Sequence, residues 1–198
     1  SPLLVLDTET TGLPFGRNAA PPERLHIVEI GAVLLDEWGE ERAAFARLVR
    51  LPDAVDAASV AEAMAVSGLT PELLTERGTD ATGAAIEFDE WVRSLGGPRW
   101  TAYNRDFDSW FLARDPWGVG MARLSEAPCI MRLALSVIER HCDREAGTGP
   151  LQWLPPRHAG ETGKWKWPKS SETAAWLRSR GHPIPELPQH RALTDART

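Results

Sequence analysis

Asp7 and Glu9 lie one residue apart in Asp7-Thr8-Glu9-Thr10-Thr11-Gly12, directly after the apolar run Leu3-Leu4-Val5-Leu6. Side chains two apart on a strand point to the same face, so a strand continued into this element aims two carboxylates at one spot. Like charges so placed repel unless a cation sits between them, and hard divalent cations such as Mg2+ take oxygen ligands. Alone, the pair reads equally as a solvated strand end or a turn. A second element, Tyr103-Asn104-Arg105-Asp106-Phe107-Asp108, carries a strand end into a helix, where Asn104 and Asp108, four apart, share one face. A third is His190-Arg191-Ala192-Leu193-Thr194-Asp195-Ala196. Five helical positions turn through ~500°, which leaves His190 and Asp195 about 140° apart. His190 is therefore expected from the loop that follows Pro188, and Asp195 from the next helix. Singly, His190 also reads as a capping or surface histidine. The combination outweighs these separate readings.

The elements that must hold these residues follow from patterning. Leu3 to Leu6 are expected to form a central strand buried on both faces. Residues 13–25, with Pro14, Gly16, Pro21 and Pro22, are expected to be loop. Ile27 to Leu35 and about Ala44 to Leu51 complete an antiparallel meander. Residues 57–76 read as two short helices broken near Gly68. Ala84, Ala85, Phe88, Trp91, Val92 and Leu95 recur at helical spacing up to Gly96-Gly97. A short strand at Trp100 to Tyr103 and helices over about Arg105 to Arg114 and Met131 to His141 follow. Residues 143–168 are rich in Gly and Pro without a period, which predicts a long structureless insertion. Ser170 or Ser171 is expected to cap a last long helix ending at Gly181, with Glu172 in its first turn and Arg178 and Arg180 in its last.

A chain of 198 residues with 42% hydrophobic and 25% charged residues suits one globular domain. No apolar run approaches the ~20 residues that cross a bilayer. The start, Ser1-Pro2-Leu3-Leu4, lacks the basic flank of a signal peptide, so a cytoplasmic protein without a membrane partner is expected, Ser1 marking a processed or engineered end. Cys129 and Cys142 are too few and too far apart for a disulfide framework. A zinc site formed with His141 and His158 is the weaker alternative to free thiols. The net charge of −6 is uneven: residues 1–150 hold 14 basic and 24 acidic side chains, residues 151–198 hold 8 and 4. All three lysines, Lys164, Lys166 and Lys169, fall in the basic part, a weak mark of a segment facing a polyanion. Lys164-Trp165-Lys166-Trp167 interleaves cations with aromatics as single-strand binding surfaces do, and reads equally as tryptophans packed beneath a solvated loop.

In their order and spacing, the three elements resemble the motifs of the DEDDh (DnaQ-like) exonucleases. Ile27-Val28-Glu29-Ile30-Gly31-Ala32-Val33, Ser67-Gly68-Leu69-Thr70 and Pro128-Cys129-Ile130-Met131-Arg132-Leu133 agree with the family's connecting segments, so the resemblance covers nearly the whole chain. It implies an α/β protein of RNase H-like kind, a mixed five-stranded sheet flanked by helices, as a single domain over residues 1–198 with the insertion at about 143–168. It implies Asp7, Glu9, Asp108 and Asp195 as ligands of two Mg2+ ions, replaceable by Mn2+, and His190 as general base. Thr10, Leu13, Asn104, Phe107, Lys164 and Lys166 are the expected substrate-binding residues, Leu13 as a wedge against the terminal bases. The family's last helix normally continues for two or more turns past the position of Asp195, whereas this sequence stops three residues after it, so either a tail is missing from this chain or Asp195 is poorly anchored.

The activity so implied is 3′→5′ exonucleolytic hydrolysis to nucleoside 5′-monophosphates. The substrate is a nucleic acid with a free 3′ end, DNA before RNA. Two other readings stay open at this stage. One is the proofreading subunit or domain of a polymerase, with the polymerase or a second copy of the chain as partner. The other is an inactive nucleic-acid-binding module on the same fold.

Overall fold

The computed structural model describes residues 2–143, 146, 148–154, 163–184 and 191–197. They fall into two compact units, Ser1–Ala127 with Leu187–Arg197 and Pro128–Glu186.

The first unit is built on a five-stranded sheet. β1 (Leu3–Thr10) pairs antiparallel with β2 (Ile27–Leu35), which pairs antiparallel with β3 (Glu41–Leu48). Helices α1 (Ala57–Ala65), α2 (Pro71–Arg77) and α3 (Ala81–Ser94) follow. The break between α1 and α2 falls where Gly68 takes φ +69°, a backbone state that glycine enters without penalty. β4 (Arg99–Ala102) returns to lie parallel to β1, leads into α4 (Arg105–Leu112) and the short α5 (Gly118–Met121), and is flanked by β5 (Ser125–Glu126). The order β3-β2-β1-β4-β5 is the mixed α/β sheet expected from the sequence. Leu4 and Leu6 on the central strand pack with Ile30, Phe88, Leu112 and their neighbours into the main core, and Val28, Val60, Met64 and Leu74 form a second cluster under α1 and α2.

In the second unit, α6 (Ile130–Ile138) passes into a 3-10 turn over Glu139–His141 rather than remaining α-helical to His141. The segment 143–168, expected to be structureless, holds a two-stranded ribbon, β6 (Trp153–Leu154) against β7 (Lys164–Trp165). Trp165 drives it: its buried side chain packs in a cluster with Ile138 and Leu151, against which Trp176 also packs, and an indole of that size dominates so small a core. α7 (Ser170–Ser179) is capped at Lys169, not at Ser170 or Ser171. The Glu172 carboxylate accepts the Lys169 N–H at 2.8 Å, an exposed backbone donor that the serine hydroxyls leave unmet. α8 (Ala192–Arg197) belongs to the first unit, where it packs over β1 and β2.

Candidate active site

β1 continues straight through the Asp7-Thr8-Glu9 element, so strand alternation sets Asp7 and Glu9 on one face. The antiparallel register places Gly31 opposite Asp7 and Glu29 opposite Glu9. That face is covered by α8. A Cβ on Gly31 would lie 2.1 Å from the Leu193 nitrogen and 2.2 Å from the Ala192 carbonyl carbon, so only a residue without a side chain lets the helix backbone rest on the sheet. Glu29, buried inside an otherwise apolar strand, fixes the start of that helix. Its carboxylate accepts Arg191 Nη2 at 2.7 Å and Nε at 3.0 Å, and the Ala192 N–H at 3.0 Å. A buried carboxylate needs such partners, and here they are the first amide of α8 and the guanidinium just before it.

The docking of α8 delivers Asp195. Oxygens of Asp7, Glu9 and Asp195 come within 4.8 Å of one another, the one group of three or more His, Cys, Asp or Glu side chains among the described residues that could hold a metal ion. Asp108 arrives from α4. The pairing of β4 with β1 stops at Leu6 and Ala102, and one Asp108 oxygen takes over beyond it, accepting the Thr8 N–H at 3.0 Å and the Thr8 hydroxyl at 2.8 Å. Asp108 is thus held at the carboxyl ends of the parallel β1–β4 pair, where open α/β sheets bind ligands.

This crowding has an electrostatic signature. Burial, then the charges of Asp108, Asp195, Glu9 and Glu29, hold the Asp7 carboxyl well above its ordinary value. Burial and the Asp195, Glu29 and Asp108 charges push Glu9 up to about 7, against a lowering pull from Arg191. Burial lifts Asp108 to about 7 despite its two hydrogen bonds from Thr8. Carboxylates that resist ionisation together are the donor set a divalent cation satisfies.

The other sequence-designated residues are spread more widely. His190 lies outside the described residues, as does His158. The Thr10 hydroxyl donates to the Gly12 carbonyl at 3.0 Å, and Leu13 is 51% exposed on the loop that follows. Asn104 occupies the exposed N-cap position of α4, while Phe107 packs on Phe111 at 5.2 Å between centroids. In the second unit Lys164 is exposed, Lys166 pairs with Glu172 at 3.1 Å, and Trp167 is exposed where Trp165 is buried. Cys129 and Cys142 are free, and His141 lies against Trp176. Glu29, Gly31 and Arg191 were not singled out by the sequence, although a lone glutamate in the apolar strand Ile27–Leu35 signals a buried charge in want of a partner.

The Gly31 contact makes a direct expectation. Gly31→Ala must push α8 off the sheet, costing about 1–3 kcal/mol as overpacking does. The same shift carries Asp195 away from Asp7, so metal-induced stabilisation measured by thermal melting falls with it. A variant that melts like wild type and keeps the full metal response would show that α8 tolerates displacement.

The chain shares its fold with solved exonuclease I structures. The exonuclease I of Methylocaldum szegediense matches with a TM-score of 0.65 at 20% identity, over 99% of this chain and 38% of that one. Escherichia coli exonuclease I in complex with a dT13 oligonucleotide matches with a TM-score of 0.61 at 16% identity, over 99% of this chain and 39% of that one. This chain therefore spans less than two-fifths of the length of these structures. No protein-family model and no curated protein matches it.

Proposed function

We propose that the chain is a 3′→5′ exonuclease domain of the DEDDh kind, hydrolysing the terminal phosphodiester of a nucleic acid to release nucleoside 5′-monophosphates. The observation that carries this reading is the convergence of Asp7, Glu9 and Asp195 beside the buried Asp108. All are oxygen donors, as Mg2+ or Mn2+ prefers, and four carboxylates suit two such ions. When bound, the ions stabilise charge on the scissile phosphate and lower the pKa of the attacking water. Asp7, Glu9 and Asp195 hold them, with Asp108 completing the set from α4. His190 takes the proton of the attacking water, as an imidazole with an ordinary pKa near ~6.5 does at neutral pH. Leu13 wedges against the last bases, with Thr10, Asn104 and Phe107 flanking the terminal nucleotide. Lys164 and Lys166 contact the phosphate backbone of a long strand. DNA as the expected substrate accords with the dT13 oligonucleotide in the E. coli structure. Among the described residues, no helix is long and apolar enough to cross a membrane.

The test is polarity. On a 5′-labelled single strand, products are expected to shorten one nucleotide at a time from the 3′ end. A 3′-phosphorylated strand and a circular strand are expected to resist, and Leu13→Ala to raise KM on the linear strand without lowering the melting temperature. Efficient cutting of circles would place the activity inside the strand and overturn the reading.

A further inference from the structure

Among the described residues of the first unit, the guanidiniums without a carboxylate or carbonyl partner lie on the loop joining β1 to β2 and in the cleft that the end of this loop helps to line. That unit has no lysine. Among its described residues, most guanidiniums face a carboxylate, and Arg99 donates to the Glu126 carbonyl at 3.0 Å; Arg17, Arg24, Arg50 and Arg114 have neither kind of partner. Arg17 and Arg24 sit on the loop joining β1 to β2. Arg50 and Arg114 line a cleft of about 210 Å³ with His26, Phe111 and Trp117, and Asp115 is the carboxylate among its walls.

The same place carries an exposed aromatic. Phe15, on the β1–β2 loop, is 54% exposed. It meets Trp110 of α4 edge-on, with centroids 6.2 Å apart and planes at 81°. Over the Trp110 ring lies the Arg114 guanidinium, 3.7 Å from its centroid. The loop is closed at its base: the Thr11 N–H donates to the His26 carbonyl at 3.0 Å, and the His26 N–H donates to the Thr11 hydroxyl at 2.9 Å. Phe15 is thus presented to solvent by a pinned loop.

We propose that Phe15, Trp110, Arg50 and Arg114 form a platform for single-stranded nucleic acid, an unstacked base lying on Phe15 while neighbouring phosphates meet Arg114 and Arg50. Aromatic faces accept any base, and guanidiniums meet the backbone that links the bases. Phe15 follows Glu9 by six residues, so at ~3.5 Å per residue it lies within roughly 20 Å of it along the chain. Trp110 follows Asp108 by two. A strand whose end is at Asp7 therefore reaches the platform within a few nucleotides. Only that placement of the strand's end rests on the exonuclease reading; the platform's own chemistry does not.

The test uses the intact chain in EDTA, where binding is read without cleavage. Fluorescence anisotropy is measured with labelled dT12, labelled U12 and an abasic deoxyribose strand of equal length, for wild type, Phe15→Ala and the double variant Arg50→Gln/Arg114→Gln. Matching thermal melts establish that the variants fold. Phe15→Ala is expected to weaken binding of dT12, U12 or both by roughly 5- to 100-fold, the loss of one stacked base, and to leave the abasic strand unchanged. The double variant is expected to weaken all three strands and to flatten the salt slope by about 1.4, at ~0.7 per phosphate contact. An unchanged affinity of Phe15→Ala for both base-bearing strands overturns the platform, as does an unchanged salt slope in the double variant or wild type that binds neither strand. Binding that behaves as expected in a chain that cuts nothing with Mg2+ leaves the platform standing and removes the exonuclease reading.

Discussion

Asp7→Asn is expected to make the metal-free protein more stable and the enzyme inert. Asp7 meets Glu9 and Asp195 in a half-buried group beside Asp108, and its carboxyl is held well above the ordinary value by desolvation and by those charges. The folded protein therefore keeps a proton on this cluster at pH values where the unfolded chain, with carboxyls near ~4, has released it. More protons bound in the folded state means stability that falls as pH rises, from about 4 up through the values near 7 held by Glu9 and Asp108. As these carboxyls ionise, the metal-free wild type takes on their mutual repulsion, and the neutral amide of Asp7→Asn relieves part of it. In EDTA at pH 8 the variant is expected to melt above wild type, and the gap is expected to close near pH 4. With saturating Mg2+ the order reverses, because a ligand stabilises only the form that binds it. Activity is expected to fall by ~10³-fold or more. Thermal melts across pH, with and without Mg2+, check each part, and a variant that still gains stability from Mg2+ would remove Asp7 from the metal set.

His190→Ala is expected to separate proton transfer from metal binding. The four carboxylates remain, so the Mg2+-induced rise in melting temperature and the KM for a single strand are expected to hold. The turnover number is expected to fall by ~10²–10⁴-fold, the range for a lost general base. A base works only while it can accept a proton, so if His190 is the base, wild-type kcat is expected to show an acidic limb in its pH profile that the variant loses. Near-normal turnover with an unaltered pH profile would show that His190 is not the base.

The meeting of Asp7, Glu9 and Asp195 was legible in part because strand and helix periods are geometric. An apolar run entering Asp7-Thr8-Glu9 requires two carboxylates on one face, and α8 begins at Ala192, so Asp195 rides on a helix as the angular argument requires. What holds that helix was not legible. Glu29 and Gly31 act through register: they matter because they stand opposite Glu9 and Asp7 on the neighbouring strand, a relation that exists only after pairing. β5 escaped because two paired residues carry no period. The ribbon of β6 and β7 escaped for the same reason, its register being set by tertiary burial of Trp165. The cap of α7 falls at Lys169, one or two residues before the serines, because a reaching glutamate, not a serine hydroxyl, meets the exposed amide.

The most direct measurement is the release of the 3′-terminal nucleotide from a 5′-labelled single strand as free Mg2+ is titrated up from an EDTA-treated preparation. Expected is no product in EDTA, a saturating rise in rate with Mg2+ or Mn2+, a nucleoside 5′-monophosphate as the product, and no rise at any Mg2+ concentration for Asp7→Asn. Undiminished release in EDTA would contradict a site built on Asp7, Glu9, Asp108 and Asp195, as would full metal-dependent release by Asp7→Asn.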